Sequence, residues 1–376
     1  MRHDEPVQFE RYVALGDSQT EGLNDADGRG GFRGWADRFA VLLTAANPHL
    51  QYANLAIRGR VMAAISGEQL EPALALRPDL VTVMGGLNDL MRPSVDLAAV
   101  AGHLDAMVGA ARAAGATVLT NTFPDPAPVA PLFRRLAPRV AAYNELIRAV
   151  AAERGALLVD FDAHGVGSDL RIWSPDRIHA NPFGHSMIAA AFASTVGIPG
   201  LDHWQRPLPP STPAGRLRRT GTDLRWLSRD VAPWMLRRVR GRSSGDGITA
   251  KRPRLLPVAS LFHIVAPADW PAAGVYRPPS LADEGFVHLS FADQVEGVVN
   301  TWYRDGPDLV AVELDPALLG AEIRVEDSYR AGATFPHLYG PVPVSAAIAV
   351  HPFARAADGA WRFSPGGATA PASSGR

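Results

Sequence analysis

The chain has 376 residues, 47% of them hydrophobic and 20% charged, with a formal net charge of -1 and no cysteine. That length leaves room for two domains, and the composition excludes a fibrous or wholly disordered chain. The missing cysteines exclude disulfides, thiolate metal sites and a cysteine nucleophile.

The opening stretch MRHDEPVQFERYVALGDS has no apolar signal core, and no later run reaches the roughly 18 apolar residues of a membrane span. A cytoplasmic location is therefore the expectation. From residue 11 to about 200, short apolar runs alternate with helical patterns. RYVALGD (11–17), QYANLAI (51–57), LVTVMGG (80–86), TVLTNTF (117–123) and ALLVDFD (156–162) are continuous and rich in Val and Leu. Runs of that kind fit strands buried on both faces of a parallel sheet. Leu97, Val100, Leu104, Met107 and Val108 fall at helical spacing before Gly115, and Val140, Tyr143, Ile147 and Val150 repeat the pattern before Gly155. Alternating β and α elements imply a three-layer α/β domain with right-handed crossovers, whose ligands gather at the carboxyl ends of the strands.

Residues 201–256 change character, with thirteen Arg or Lys against four Asp or Glu. Leu224, Leu227, Val231 and Trp234 form one helical stripe between clusters of Pro and Gly, with arginines elsewhere. The bland reading, a linker helix packing its stripe on a neighbour, outweighs a basic face for anionic surfaces. No specific nucleic-acid signal accompanies it. Lys251 is the sole lysine of the chain, a bias read as the base composition of a GC-rich bacterial genome. Residues 257–355 read as a small α+β domain, with LFHIV, GFVHLS, LVAVELD and AAIAVHPF as strands and SFADQVEGVVNTWYRD as a helix. The last stretch, 356–376, is low in complexity and expected to be disordered.

The chemistry-bearing residues sit at strand ends. Ser18 follows the first strand in GDSQT; a second Gly is absent, which argues against a G-x-S-x-G elbow. Alone, such a tripeptide is more often a helix cap. A serine nucleophile needs a base oriented by a carboxylate, and SPDRIHANPFGHS places Asp176 three residues before His179. His185, inside the following helical pattern, is assigned to packing. Asn88 in GLND and Gly59 in NLAIRG stand just past two further strands, where they can present donors to an oxyanion. The Gly-rich GRGGFRGW matches neither phosphate-binding pattern, and His103, His164, His179 and His185 show no ligand spacing. Neither metal nor cofactor is expected.

With Ser18, Gly59, Asn88 and His179 in order, residues of about 9–197 resemble the SGNH (GDSL-type) hydrolases. The resemblance implies a flavodoxin-like sandwich with strand order 2-1-3-4-5 and a small-molecule ester as substrate. It also implies Ser18 as nucleophile, His179 as base, Asp176 orienting it, and an oxyanion hole from Ser18, Gly59 and Asn88. An unperturbed imidazole near 6.5 would then make activity fall in mild acid. In the second domain, His263, Glu284, His288, Ser290, Glu313, Glu326, His337 and Tyr339 are polar residues on or beside apolar strands. Each histidine is individually more often a core residue, yet His263, His288, Glu313, His337 and Tyr339 together mark a candidate pocket, with FPHLYG read as a turn. Residues of about 260–352 resemble the bacterial domain-of-unknown-function 952 family, distantly ADP-ribosyltransferase-like. That resemblance implies a nucleotide- or NAD-type binding module, with Glu284, Glu313 and Glu326 all open as its glutamate. A hydrolase fold that has lost catalysis is the other alternative.

Overall fold

A computed structural model describes residues 8–28, 30–129, 131–210, 244–304, 306–327, 333–356 and 358–364. The expected stripe at Leu224–Trp234 and residues 365–376 lie outside the described residues. The chain divides into two compact units, 1–255 and 256–376.

In the first unit the five expected strands are β1 (Arg11–Gly16), β2 (Gln51–Asn54), β3 (Leu80–Met84), β4 (Thr117–Asn121) and β5 (Leu157–Val159). They run parallel: Val13 sits between Ala53 and Val81, Val81 faces Val118, and Leu119 faces Leu157. The order from the outer edge is β5-β4-β3-β1-β2, as expected, with β6 (Arg252–Pro257) added beside β2. That sixth strand lies in the segment read as a linker. Two prolines and two arginines hide it from an apolar search, and a sheet edge tolerates them because no further ladder is needed on one side. Side chains fasten it. Lys251 Nζ donates to the carbonyls of Phe32 and Arg33 and pairs with Asp37, and Arg252 Nε donates to Tyr52 O.

The helices are α1 (Ser18–Glu21), α2 (Gly34–Leu43), α3 (Met62–Ala75), α4 (Leu87–Leu90), α5 (Leu97–Ala113), α6 (Ala137–Arg154) and α7 (Pro182–Thr195). α2 packs on α7, and α3, α5 and α6 pack in series. The two stripes seen in the sequence are the buried faces of α5 and α6, and Gly155 closes α6 in the left-handed region. In the core Tyr12 stacks on Tyr52 and meets Phe39 edge to face, and Trp35 lies on Phe192 with centroids 4.3 Å apart. Tyr12 OH finds Thr82 Oγ1 at 2.9 Å, so this buried hydroxyl is satisfied.

The winding reverses at β1, whose neighbours are β2 on one side and β3 on the other. In open α/β sheets the crevice for ligands opens at the carboxyl ends of such strands. Ser18 follows β1 and Asn88 follows β3 there.

The second unit is rich in strands. β7 (Leu261–Val265) and β14 (Ala347–Pro352) flank β10 (Val310–Leu314), and β11 (Ile323–Glu326) and β9 (Val287–His288) flank β12 (Phe335–Leu338). Two short pairs, β8 (Val275–Tyr276) with β13 (Val342–Pro343) and β15 (Ala354–Arg355) with β16 (Trp361–Arg362), complete it. Its helices are α8 (Pro279–Asp283) and α9 (Ala292–Trp302). FPHL is thus a central strand rather than a turn. Pro336 has no N–H to give, but its carbonyl accepts from Leu289 N, so the ladder survives the proline. Order also extends past residue 355, because Trp361 is buried against Val299 and Leu309.

Candidate active site

The turn after β1 is built by close approach. A Cβ on Gly16 would stand 2.4 Å from Met84 O, so only glycine lets β1 and β3 end side by side. Gln69 locks the position, accepting from Gly16 N and donating to Gly16 O at 2.9 Å each. Asp17 then caps α1, its Oδ1 accepting from Gln19 N. The capping role that competes for a Gly-Asp-Ser sequence falls to the aspartate, which leaves the serine hydroxyl for another partner.

That partner is His179. Ser18 Oγ lies 2.7 Å from His179 Nε2, across 161 positions of sequence, and His179 Nδ1 lies 2.8 Å from Asp176 Oδ2. The D-x-x-H stretch is a tight turn in which Asp176 Oδ1 accepts from the backbone N–H of both Ile178 and His179. Arg177 adopts the left-handed region (φ 56°) to close it. Asn24 Nδ2 also donates to Asp176 Oδ2, at 2.7 Å. Burial works to raise the Asp176 pKa, but the hydrogen bond and charge of His179 and the two backbone donors outweigh it and hold the carboxyl down at about 2. An ionised Asp176 keeps the proton of His179 on Nδ1, so Nε2 presents its lone pair to the serine hydroxyl.

Gly59 has φ 72°, and its loop is tied to α1 by the buried Glu21, which pairs with Arg58 and accepts from Arg58 N at 2.7 Å. Ser18 N is at the start of α1, where helix geometry supplies no backbone acceptor. Asn88 differs from the expectation. Its amide donates to Asp17 Oδ2 and to Arg60 O, both at 3.0 Å, so both hydrogens are spent. An oxyanion would have to displace one of these acceptors. Burial pushes the Asp17 carboxyl up to about 6, against the pull of Gln19 N, His179 and Asn88.

His185 stands apart from this chemistry, as expected. It is fully buried in α7, accepts from Trp35 N on Nδ1 (3.1 Å) and lies 3.0 Å from Leu23 O through Nε2. Burial lowers its pKa to about 4. The unfolded chain binds a proton near pH 6.5 and the native one only near 4. Stability is therefore intact above 6.5 and falls as pH drops towards 4, by about 3 kcal/mol. Urea unfolding at pH 7 and pH 4 checks this. The stability advantage of wild type over His185→Asn should shrink in acid, and an unchanged gap contradicts it.

In the second unit, His263, His288 and His337 meet around two cavities of about 480 and 330 Å3 that share His288, Ser290, Val298 and Tyr303. His263 Nδ1 is 2.9 Å from His288 O, and burial lowers its pKa to about 4. His337 stacks on Phe286 and meets Glu326, which also accepts from Tyr339 OH at 2.6 Å. Glu313 lines neither cavity; it pairs with His351 at 2.8 Å. Sequence reasoning passed over His351, as it did Gln19, Asn24 and the Glu21–Arg58 pair. Their partners lie on other elements, so spacing along the chain carries no sign of them.

Residues 14–187 match the GDSL-like lipase/acylhydrolase family, and residues 264–350 match the family of unknown function DUF952. The acetylxylan esterase of Geobacillus stearothermophilus is 26% identical over 212 residues, which are 50% of this chain and 94% of that protein. An alpha/beta hydrolase enzyme from the metagenome of Lake Arreo, Spain, is 26% identical over 50% of this chain and 95% of its own, with a TM-score of 0.43. A structural-genomics protein from Caulobacter crescentus is 31% identical over 28% of this chain and 94% of its own, with a TM-score of 0.26. Among the described residues no helix is long and apolar enough to cross a membrane. Residues 14–187 are thus a GDSL-like (SGNH) acylhydrolase domain and residues 264–350 a DUF952 domain, and the chain is an ester-hydrolysing enzyme.

Proposed function

We propose that the chain is a serine ester hydrolase that works through an acyl-enzyme at Ser18. The observation that carries this is the continuous line Ser18 Oγ, His179 Nε2, His179 Nδ1, Asp176 Oδ2, with 2.7 and 2.8 Å at its two hydrogen bonds. Ser18 Oγ attacks the ester carbonyl while its proton passes to His179 Nε2. Asp176 stabilises the imidazolium through the Nδ1 hydrogen bond. The oxyanion is met by the N–H groups of Ser18 and Gly59, with Asn88 turning one amide hydrogen from its resting acceptor. Collapse expels the alcohol with the proton from His179. Water, deprotonated by the same nitrogen, then releases the acid and regenerates Ser18. A pre-steady-state burst of p-nitrophenolate, equal to the enzyme concentration, is expected whenever deacylation is slower than acylation. Direct attack of water on the ester would instead give no burst with any acyl group and no acyl transfer to added alcohols.

The second reading concerns the DUF952 domain as a nucleotide- or NAD-type module that serves the hydrolase. The gathering of His263, His288 and His337 around shared cavity walls favours it. Thermal shift of the full chain with millimolar NAD, ADP-ribose or nucleotides tests it, and unchanged melting with all of them removes it.

A further inference from the structure

The first domain holds a second feature that the acyl-transfer chemistry does not use. A cavity of about 120 Å3 runs beneath the strand ends, with walls that are almost wholly apolar. Its wall includes the reacting groups' sequence neighbours: Gln19 after Ser18, Leu87 before Asn88, and Ile178 before His179. Gln19 is fixed there, donating to Ile178 O at 2.9 Å and accepting from Ala180 N, so it brackets His179 from both sides. Phe161, Met187, Ile188 and Trp204 also stand in its wall.

The few polar groups in the wall are mostly spent internally. Trp173 Nε1 donates to Gly167 O, and Asn121 Nδ2 donates to Thr122 O, while Asn121 Oδ1 has no partner among the described residues. Protein interiors are close-packed and rarely keep voids larger than a water molecule, because an empty cavity forfeits the contacts of its lining. A cavity of this size and polarity, with the sequence neighbours of Ser18 and His179 in its wall, is suited to an apolar occupant. An apolar cavity of ~150 Å3 takes up benzene, a molecule of six carbons, and that sets the length of chain expected here.

We infer that this cavity is the acyl-chain site, and that the enzyme prefers esters of straight apolar acids of roughly five to eight carbons over acetyl esters. The inference rests on the ester-hydrolase reading of Ser18. An acetyl group, bound covalently to Ser18 Oγ, would leave most of the cavity empty. Each further methylene that enters it adds a transfer free energy worth roughly fourfold in kcat/KM. Ile188, on α7 and only partly exposed, lies in the cavity wall, where a larger side chain would shorten the space left for the chain.

The test is kcat/KM for p-nitrophenyl acetate, butyrate, hexanoate and octanoate with full-length wild type, Ser18→Ala, Ile188→Phe and Ile188→Ala. Wild type should rise at least tenfold from acetate to hexanoate. Ile188→Phe, which takes up space in the cavity, should cut the octanoate-to-acetate ratio at least tenfold, and Ile188→Ala should raise it. A Ser18-dependent profile that is flat or falls with chain length overturns the acyl site and leaves the hydrolase reading intact. Turnover that persists in Ser18→Ala overturns the hydrolase reading itself. If Ile188→Phe fails to fold, the wild-type profile and Ile188→Ala still decide: an octanoate-to-acetate ratio unmoved by the alanine overturns the site.

Discussion

Ser18→Ala should lower kcat by about 10^6 while the melting temperature stays within a degree or two of wild type, since losses of that order follow removal of a nucleophile that acts as a unit with its base. Ser18 is 9% exposed and its hydroxyl is hydrogen-bonded to His179, so its removal leaves a small gap and an imidazole that solvent reaches. Substrate binding is untouched by the change. KM for a chromogenic ester should change little, and kcat and kcat/KM should fall together. Steady-state kinetics with far-ultraviolet circular dichroism check both halves. A variant that keeps a tenth of wild-type turnover assigns the chemistry elsewhere.

The second large effect is expected at Asp176. Its two oxygens accept hydrogen bonds from Ile178 N, His179 N, His179 Nδ1 and Asn24 Nδ2. In Asp176→Asn the amide offers one acceptor oxygen and an NH2 group that faces donors, so either the turn or the imidazole loses its anchor. The imidazole then rests in the wrong tautomer, and kcat should fall by about 10^4. Asp176→Asn should also cost stability. The folded carboxyl titrates at about 2 against an ordinary 3.8, because the bonds from His179 and the backbone overcome burial. Its contribution of about 2 kcal/mol is fully present above pH 4 and is lost as pH falls towards 2. Denaturant unfolding should show wild type and variant converging below pH 3. Equal stabilities at pH 7 would mean that Asp176 is not held as described.

Much of this was legible in the sequence, and for identifiable reasons. β1 to β4 are continuous apolar runs because helices cover both faces of their sheet, and that burial leaves a mark in composition, while β5, at the sheet's edge, keeps an apolar run although Leu157 is exposed. Ser18, Gly59 and Asn88 follow β1, β2 and β3 in turn, and His179 stands between β5 and α7, an order along the chain that survives without knowledge of the fold. β6 was not legible, since an edge strand held by Lys251 and Arg252 needs no apolar pattern. Nor was β12, where Pro336 reads as a turn until Leu289 N is seen bonding to its carbonyl. The resting acceptors of Asn88 were hidden too. They lie on Asp17 and Arg60, 71 and 28 positions away, and no local spacing relates them. In the second domain three histidines of the expected pocket do gather, while Glu313 is drawn off by His351, a residue whose partner only the pairing of β10 with β14 reveals.

The central claim is that Ser18 becomes covalently acylated. Treating the full-length protein with a fluorophosphonate, which loses fluoride to an activated serine, and mapping the adduct by peptide mass spectrometry tests it most directly. One phosphonyl group per chain is predicted, on the peptide containing Ser18, with loss of esterase activity in the same proportion and no labelling of Ser18→Ala or His179→Ala. Full loss of activity with label on another residue, or an unlabelled protein that still turns over ester, would contradict it.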